Sequence, residues 1–141
     1  EILNVTIMDG AGHSREVLLT GHAMMIAIDY VAHERLERPA FGIAIYDGGG
    51  TQLAGTNTLM AGCEIPFIEG KGRVLYRAES LPLLAGQYYL SVAIHNAEET
   101  EAFDYDNLGY SFRVELGAAT PHLGLIHVPA NWIFEPGEEE A

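Results

Sequence analysis

The sequence predicts an all-β fold, an antiparallel β-sandwich of about eight strands. Two observations carry this. Apolar residues alternate with polar or small ones at a period of two almost everywhere. Short apolar runs also recur at intervals of about ten residues, punctuated by Gly, Pro and Asp. With 141 residues, 48% of them hydrophobic, the chain suits one domain with a real core. No repeat, hinge or linker interrupts residues 1–134, which are expected to form the sandwich. Residues 135–141, "EPGEEEA", read as a solvated acidic tail, expected to be disordered.

The elements follow in order. In "ILNVTIM", Leu3, Val5 and Ile7 alternate with Asn4 and Thr6, and "DGAG" makes a turn. "SREVLL" is expected to return as the hairpin partner of the first strand. "HAMMIAIDYVAH" sets Met24, Ile26, Ile28 and Tyr30 against Ala23, Met25, Ala27 and Asp29. Propensity alone would allow a helix there, but the β-branched content favours a strand. "FGIAIYD" is a strand after Pro39, "DGGG" closes it, and "TQLAGTNT" returns with a glycine that suggests a bulge or a close approach. "MAGCEIPFIEGKG" reads as a loop or edge, "RVLYRAES" as a strand and "LPLLAG" as a turn. "QYYLSVAIHN" places Tyr88, Leu90, Val92 and Ile94 inside. "AEETEAFDYDN" reads as an acidic, aromatic loop. "LGYSFRVEL" places Leu108, Tyr110, Phe112 and Val114 inside, and "HLGLIHVPANW" is a last extended piece.

Charge excludes some partners. A net charge of −13 repels phosphates, which argues against nucleic acid and against anionic lipid surfaces. Neutral ligands carry no such penalty. No apolar run reaches the length of a membrane-spanning helix, so no direct membrane insertion is expected. The opening without Met reads as an excised or processed fragment. Cys63 is the single cysteine, so no intrachain disulfide can form; this favours a reducing compartment.

The second faces of several strands are bare. "FGIAIYD" offers Gly42, Ala44 and Tyr46; "YYLSVAIH" offers Tyr89, Ser91, Ala93 and His95. "GYSFRV" offers Gly109, Ser111 and Arg113, and "MIAIDY" offers Met25, Ala27 and Asp29. If these strands are neighbours, one sheet carries a floor of Gly, Ala and Ser. Its margin then holds Tyr46, Tyr89, His95, Arg113 and Asp29. Such a face can be covered by protein, or it can hold a flat ligand such as a sugar, with tyrosines stacking on C–H faces and polar groups directing hydroxyls.

Motifs for other chemistry are weak. The six histidines, at 13, 22, 33, 95, 122 and 127, show no metal-ligand spacing, and no metal is expected. "DYDN" lacks the Gly and distal Glu of a calcium loop. "GAGHS" and "EGKGR" are not phosphate loops, and no G-x-S-x-G elbow occurs. Acidic pairs are abundant, but none stands out as a glycosidase pair. No catalytic residue is assigned.

The succession Gly21, Tyr30, Pro39, Phe41-Gly42, Tyr46-Asp47, Gly50 and Gly55-Thr56-Asn57-Thr58 resembles the C-terminal domain of the Wzt family. These are the ATP-binding subunits of O-antigen ABC exporters. "LPLLAGQYYLSVAIH" and "GLIHVPANW" extend the resemblance over nearly the whole chain. The resemblance implies an immunoglobulin-like sandwich acting as a non-catalytic carbohydrate-binding module. Its partners would be the lipid-linked O-antigen polysaccharide, a second copy, and, through the parent protein, the exporter's membrane subunit. It would sit in the cytoplasm, peripheral to the inner membrane. ATP and Mg would belong to an ATPase domain outside this chain, leaving the module without a cofactor. Thr56 and Asn57 match the family's tetrapeptide, either as sugar contacts or as a stabilised bulge. Dimerisation would exchange the C-terminal segment, here His122, Leu125, Ile126, His127, Val128 and Trp132. The alternative is a structural or dimerisation domain of the exporter ATPase without glycan contact.

Overall fold

The computed structural model describes residues 1–117 and 123–137. Eight strands build two sheets: β1 (Ile2–Asp9), β2 (Val17–Leu19), β3 (Met24–Glu37), β4 (Pro39–Asp47), β5 (Gln52–Asn57), β6 (Phe67–Ala78), β7 (Gly86–Asn96) and β8 (Ala102–Glu115). The smaller sheet has the order β1-β3-β6 and the larger β2-β8-β7-β4-β5. Every ladder is antiparallel except β2–β8. The all-β sandwich is therefore as the alternation predicts.

The core lies between the inner faces. Ile26 and Ile28 of β3 belong to the same buried cluster as Phe41, Ile43 and Ile45 of β4 and Leu90, Val92 and Ile94 of β7. Full burial of each such side chain contributes about 1.5–3 kcal/mol. Tyr88 and Phe112 close one end of the core, with ring centroids 5.7 Å apart. Tyr88 donates from its hydroxyl to the Leu84 carbonyl at 2.6 Å, so its polar end is satisfied inside. Burial raises the Tyr88 phenol above its ordinary pKa.

The chain changes sheets at a one-residue corner. β3 ends at Glu37 in the small sheet and β4 starts at Pro39 in the large one. Arg38 between them sits at φ 44° and donates its N–H to the Pro66 carbonyl. A non-glycine residue in this region stores about 1–3 kcal/mol of strain, which the surrounding ladders must hold.

Several expectations need correction. "SREVLL" does not return as a hairpin partner of β1. Beyond the Met8–Ser14 bridge, its residues Val17–Leu19 form β2, which pairs parallel with Arg113–Glu115 of β8. The stretch before Arg73, expected as a loop or edge, becomes strand at Phe67, where β6 begins as an edge of the small sheet. The acidic segment is strand from Ala102 onward. Leu108, expected inside, is exposed at φ 53°. It lies in a bulge where β8 takes a four-residue step, Asp106 to Tyr110, against the two-residue step Leu90 to Val92 of β7. β3 is not a neighbour of β4, β7 and β8. It is the centre of the small sheet.

Candidate functional site

β4 and β7 lie side by side in the large sheet, in a register that opposes Gly42 to Ala93, Ala44 to Ser91 and Tyr46 to Tyr89. Directly opposed residues share a face. The bare positions of the two strands therefore form one floor, with the tyrosine pair at its end. β5 adds Asn57 opposite Gly42 and Gly55 opposite Ala44. On the other side β8 sets Tyr105 opposite Ala93. The result is an open groove of about 390 Å³. Its floor is Gly42, Ala44, Ser91 and Ala93. Tyr46, Gln52, Asn57, Met60, His95, Glu99 and Tyr105 make its walls.

Glycine shapes this floor. A Cβ on Gly42 would stand 3.5 Å from Asn57 Cβ and 3.8 Å from His95 Nε2. Without it, bare backbone lies between Asn57 and His95. A Cβ on Gly55 would run into the Gln52 amide, whose Oε1 accepts the Tyr46 hydroxyl at 3.4 Å.

The polar walls are partly engaged already. Asn57 is buried: its Oδ1 accepts the Met60 N–H at 2.7 Å and its Nδ2 donates to Glu99 Oε1 at 3.3 Å. It thus shapes the turn after β5 and also faces the groove. Thr56 shares the inward face of Ile43 by register and meets the groove through its backbone. His95 Nδ1 lies 2.8 Å from the Asn96 carbonyl, which can only accept. In the neutral ring Nδ1 therefore carries the proton, and Nε2 is left as an acceptor on the Gly42 side.

Ser91 is spoken for. Its hydroxyl donates to Asn107 Oδ1 at 3.1 Å and accepts the Leu108 N–H at 2.8 Å. The Tyr105 hydroxyl donates to the same Asn107 oxygen at 3.0 Å. Ser91 thereby pins the β8 bulge, and the bulge holds the ring of Tyr105 at the groove wall. Nearby, Tyr110 donates to Asp106 Oδ2 at 2.7 Å. Burial first, then that bond, pushes its phenol up to about 12.

The expected site residues divide. Tyr46, His95, Asn57 and Thr56 line the groove, with Ser91 in its floor and Tyr89 opposite Tyr46. Ser111 and Arg113 share the face of Tyr89 and Gln87 but do not line the groove: Ser111 is level with the tyrosine pair, Arg113 lies beyond it and binds Glu115 at 3.0 Å. Asp29 does not belong to this face. It sits on the small sheet, held by Arg73 in two bonds of 2.6 and 3.1 Å, and that partner lowers its pKa. Alternation tells which face of β3 a residue takes but carries no information about which sheet the strand joins.

Gln52, Met60, Glu99 and Tyr105 were not anticipated. Glu99 and Tyr105 stand in the acidic, aromatic segment, whose composition was the available signal. Of the C-terminal residues, His122 lies outside the described ones. Leu125 and His127 bond to the chain's own Leu84 and Pro82, and Ile126 bridges Leu83. Val128, Trp132, Ile133 and Phe134 are exposed. A further cleft of about 390 Å³ opens between the sheets at the β5–β6 edge, lined largely by apolar side chains such as Phe41, Ile43, Val74 and Tyr76. Among the described residues no helix is long and apolar enough to cross a membrane.

Fold and groove together define a two-sheet β-sandwich with an open small-residue groove on its larger sheet. The family model described as the Wzt C-terminal domain matches residues 1–128, and the chain belongs to that family. The crystal structure of the C-terminal domain of Wzt is similar at a TM-score of 0.78 and 17% identity, covering 96% of this chain and 83% of that one. A β-glucuronidase of Bacteroides uniformis matches at a TM-score of 0.50 and 17% identity, over 73% of this chain and 12% of that one. At these identities the likeness shows the fold alone. No curated protein matches the chain.

Proposed function

We propose that this domain is a non-catalytic carbohydrate-binding module that recognises lipid-linked O-antigen polysaccharide and recruits it to its ABC exporter. The observation that carries the reading is the groove itself: a Gly/Ala/Ser floor between tyrosines, with an imidazole, an amide and a carboxylate in its walls. The floor admits a pyranose ring close to the backbone. Tyr46 and Tyr105 offer ring faces to its C–H surface, and His95, Asn57 and Glu99 offer hydrogen bonds to its rim. Family membership supplies the exporter as context. The domain would then lie in the cytoplasm, against the inner membrane through the parent transporter.

Calorimetric titration with the O-polysaccharide of the source organism tests this. Tyr46→Ala and His95→Ala are each expected to weaken binding about tenfold, or ~1.4 kcal/mol. Binding unchanged by both would move the site off this sheet. Absence of binding would leave the alternative, a structural domain of the exporter ATPase.

The dimer is part of the same proposal. Val128, Trp132, Ile133 and Phe134 are exposed, and an apolar run of this kind calls for a cover. Exchange between two copies would supply one, with burial contributing about 1.5–3 kcal/mol per large side chain. Because Leu125 to His127 engage the chain's own loop, the exchanged stretch is read as starting at Val128. Removing residues 122–141 is expected to convert a dimer to a monomer in sedimentation velocity. A truncated protein that stays dimeric overturns the exchange.

A further inference from the structure

We infer that the groove selects an uncharged glycan segment rich in hydroxyl donors and discriminates against sugars bearing phosphate or carboxylate. This rests on the glycan reading above and specifies its substrate class.

The first ground is the placement of cations. The chain has seven Lys and Arg residues, and among the described residues none lines the groove. Arg15 binds Asp9, Arg35 binds Glu37, Arg73 binds Asp29 and Arg77 binds Glu79, all away from the groove. Arg113 shares the sheet face, but its strand partner is Gln87, four residues along β7 from Ser91. That is about 13 Å of strand, beyond the ~8–10 Å screening length of physiological salt. Glu115 also occupies its guanidinium at 3.0 Å.

The second ground is the kind of polar atom presented. The Glu99 carboxylate stands in the wall, bonded to Asn57. In its neutral form the His95 ring offers a bare Nε2, because the Asn96 carbonyl holds the proton on Nδ1. Both are acceptors. A sugar hydroxyl donates and accepts, so it satisfies them. A phosphate or carboxylate is an acceptor only and meets a like charge with no cation to answer it. Among the described residues no arginine lines the groove to offer a bidentate fork, the usual device for holding such anions.

Saturation-transfer NMR with matched methyl glycosides tests the inference. The panel holds neutral hexoses, deoxyhexoses and N-acetylhexosamines beside their 6-phosphates and uronates. At least one neutral member is expected to bind, with its charged counterpart about tenfold weaker or worse. Glu99→Gln should narrow that gap to about threefold, with folding checked by denaturant midpoint. A charged counterpart that binds as tightly as the neutral one overturns the inference while leaving the glycan reading intact. A gap unchanged in Glu99→Gln overturns the role of Glu99. If no member of the panel binds, the glycan reading itself falls, and this inference with it.

Discussion

Phe112→Ala is expected to lower the stability of the domain by about 3–5 kcal/mol. Phe112 is 1% exposed, stacks on Tyr88 and belongs to the core cluster, on β8 between β2 and β7 of the larger sheet. Truncation removes an aromatic ring from a site walled by two sheets. These cannot close on the space without breaking the β7–β8 ladder. The loss is thus a transfer term plus a cavity term. It also strips Tyr88 of its stacking partner while leaving the phenol bonded to Leu84. A single domain typically holds ~5–15 kcal/mol in all, so this one change consumes a large share. Urea denaturation followed by far-UV circular dichroism should show the midpoint fall with the slope unchanged. Phe112→Leu, which keeps most of the volume, should cost about 1–2 kcal/mol. A drop below 1 kcal/mol for the alanine variant would mean that Phe112 does not occupy the core.

Much of this architecture is written in the alternation of β4 and β7. Phe41, Ile43 and Ile45 alternate with Gly42, Ala44 and Tyr46, and Tyr88 to Ile94 alternate with Tyr89 to His95. Each pattern states which residues are inside, and those expected there are buried; Ser91, on the other face, is buried as well. What binary alternation cannot state is which strand lies beside which. β4 and β7 are about forty residues apart in sequence, and β3 offers the same kind of pattern. Met25, Ala27 and Asp29 look like another bare face, yet one corner residue, Arg38, sends β3 into the other sheet. The sign that separates the two was present but weak: Asp29 needs a cation opposite, and Arg73 lies on β6, not on β7 or β8.

The remaining misses come from irregular backbone. Two extra residues in β8 leave the side-chain parity intact but push Leu108 outward, so a strict count along "LGYSFRVEL" puts it inside. The bulge depends on the Ser91 hydroxyl of β7, 17 residues away in sequence, and no local pattern announces that bond. Ser91 was rightly placed on the groove face, but its hydrogen-bonding capacity is spent on Asn107 and Leu108. Conversely, Tyr105 reaches the groove because β8 pairs it beside Ala93, and Glu99 because the turn between β7 and β8 brings it to Asn57. β2 was missed as a parallel strand because three residues carry too little pattern to fix a partner.

Gly42→Val should abolish glycan binding while leaving the fold standing. Gly42 lies in the floor with β5 on one side and β7 on the other. A Cβ there meets the Thr56 carbonyl at 3.4 Å, Asn57 Cβ at 3.5 Å and His95 Nε2 at 3.8 Å, all distances the structure can carry. The two γ-methyls of valine go further: they occupy the space over Ala93 and cover the His95 acceptor. Valine also favours a pleated strand where glycine weakens one, so the backbone has no reason to yield. Affinity for the polysaccharide should fall at least about a hundredfold, or ~2.7 kcal/mol, because ring and methyls cannot share the floor. The denaturation midpoint should stay within the range of a ~1 kcal/mol change. Gly42→Ala, which adds one methyl at ordinary contact distance, should give an intermediate loss, and that gradation separates a blocked floor from a misfolded one. Full binding by the valine variant would show that the sugar does not lie on this floor.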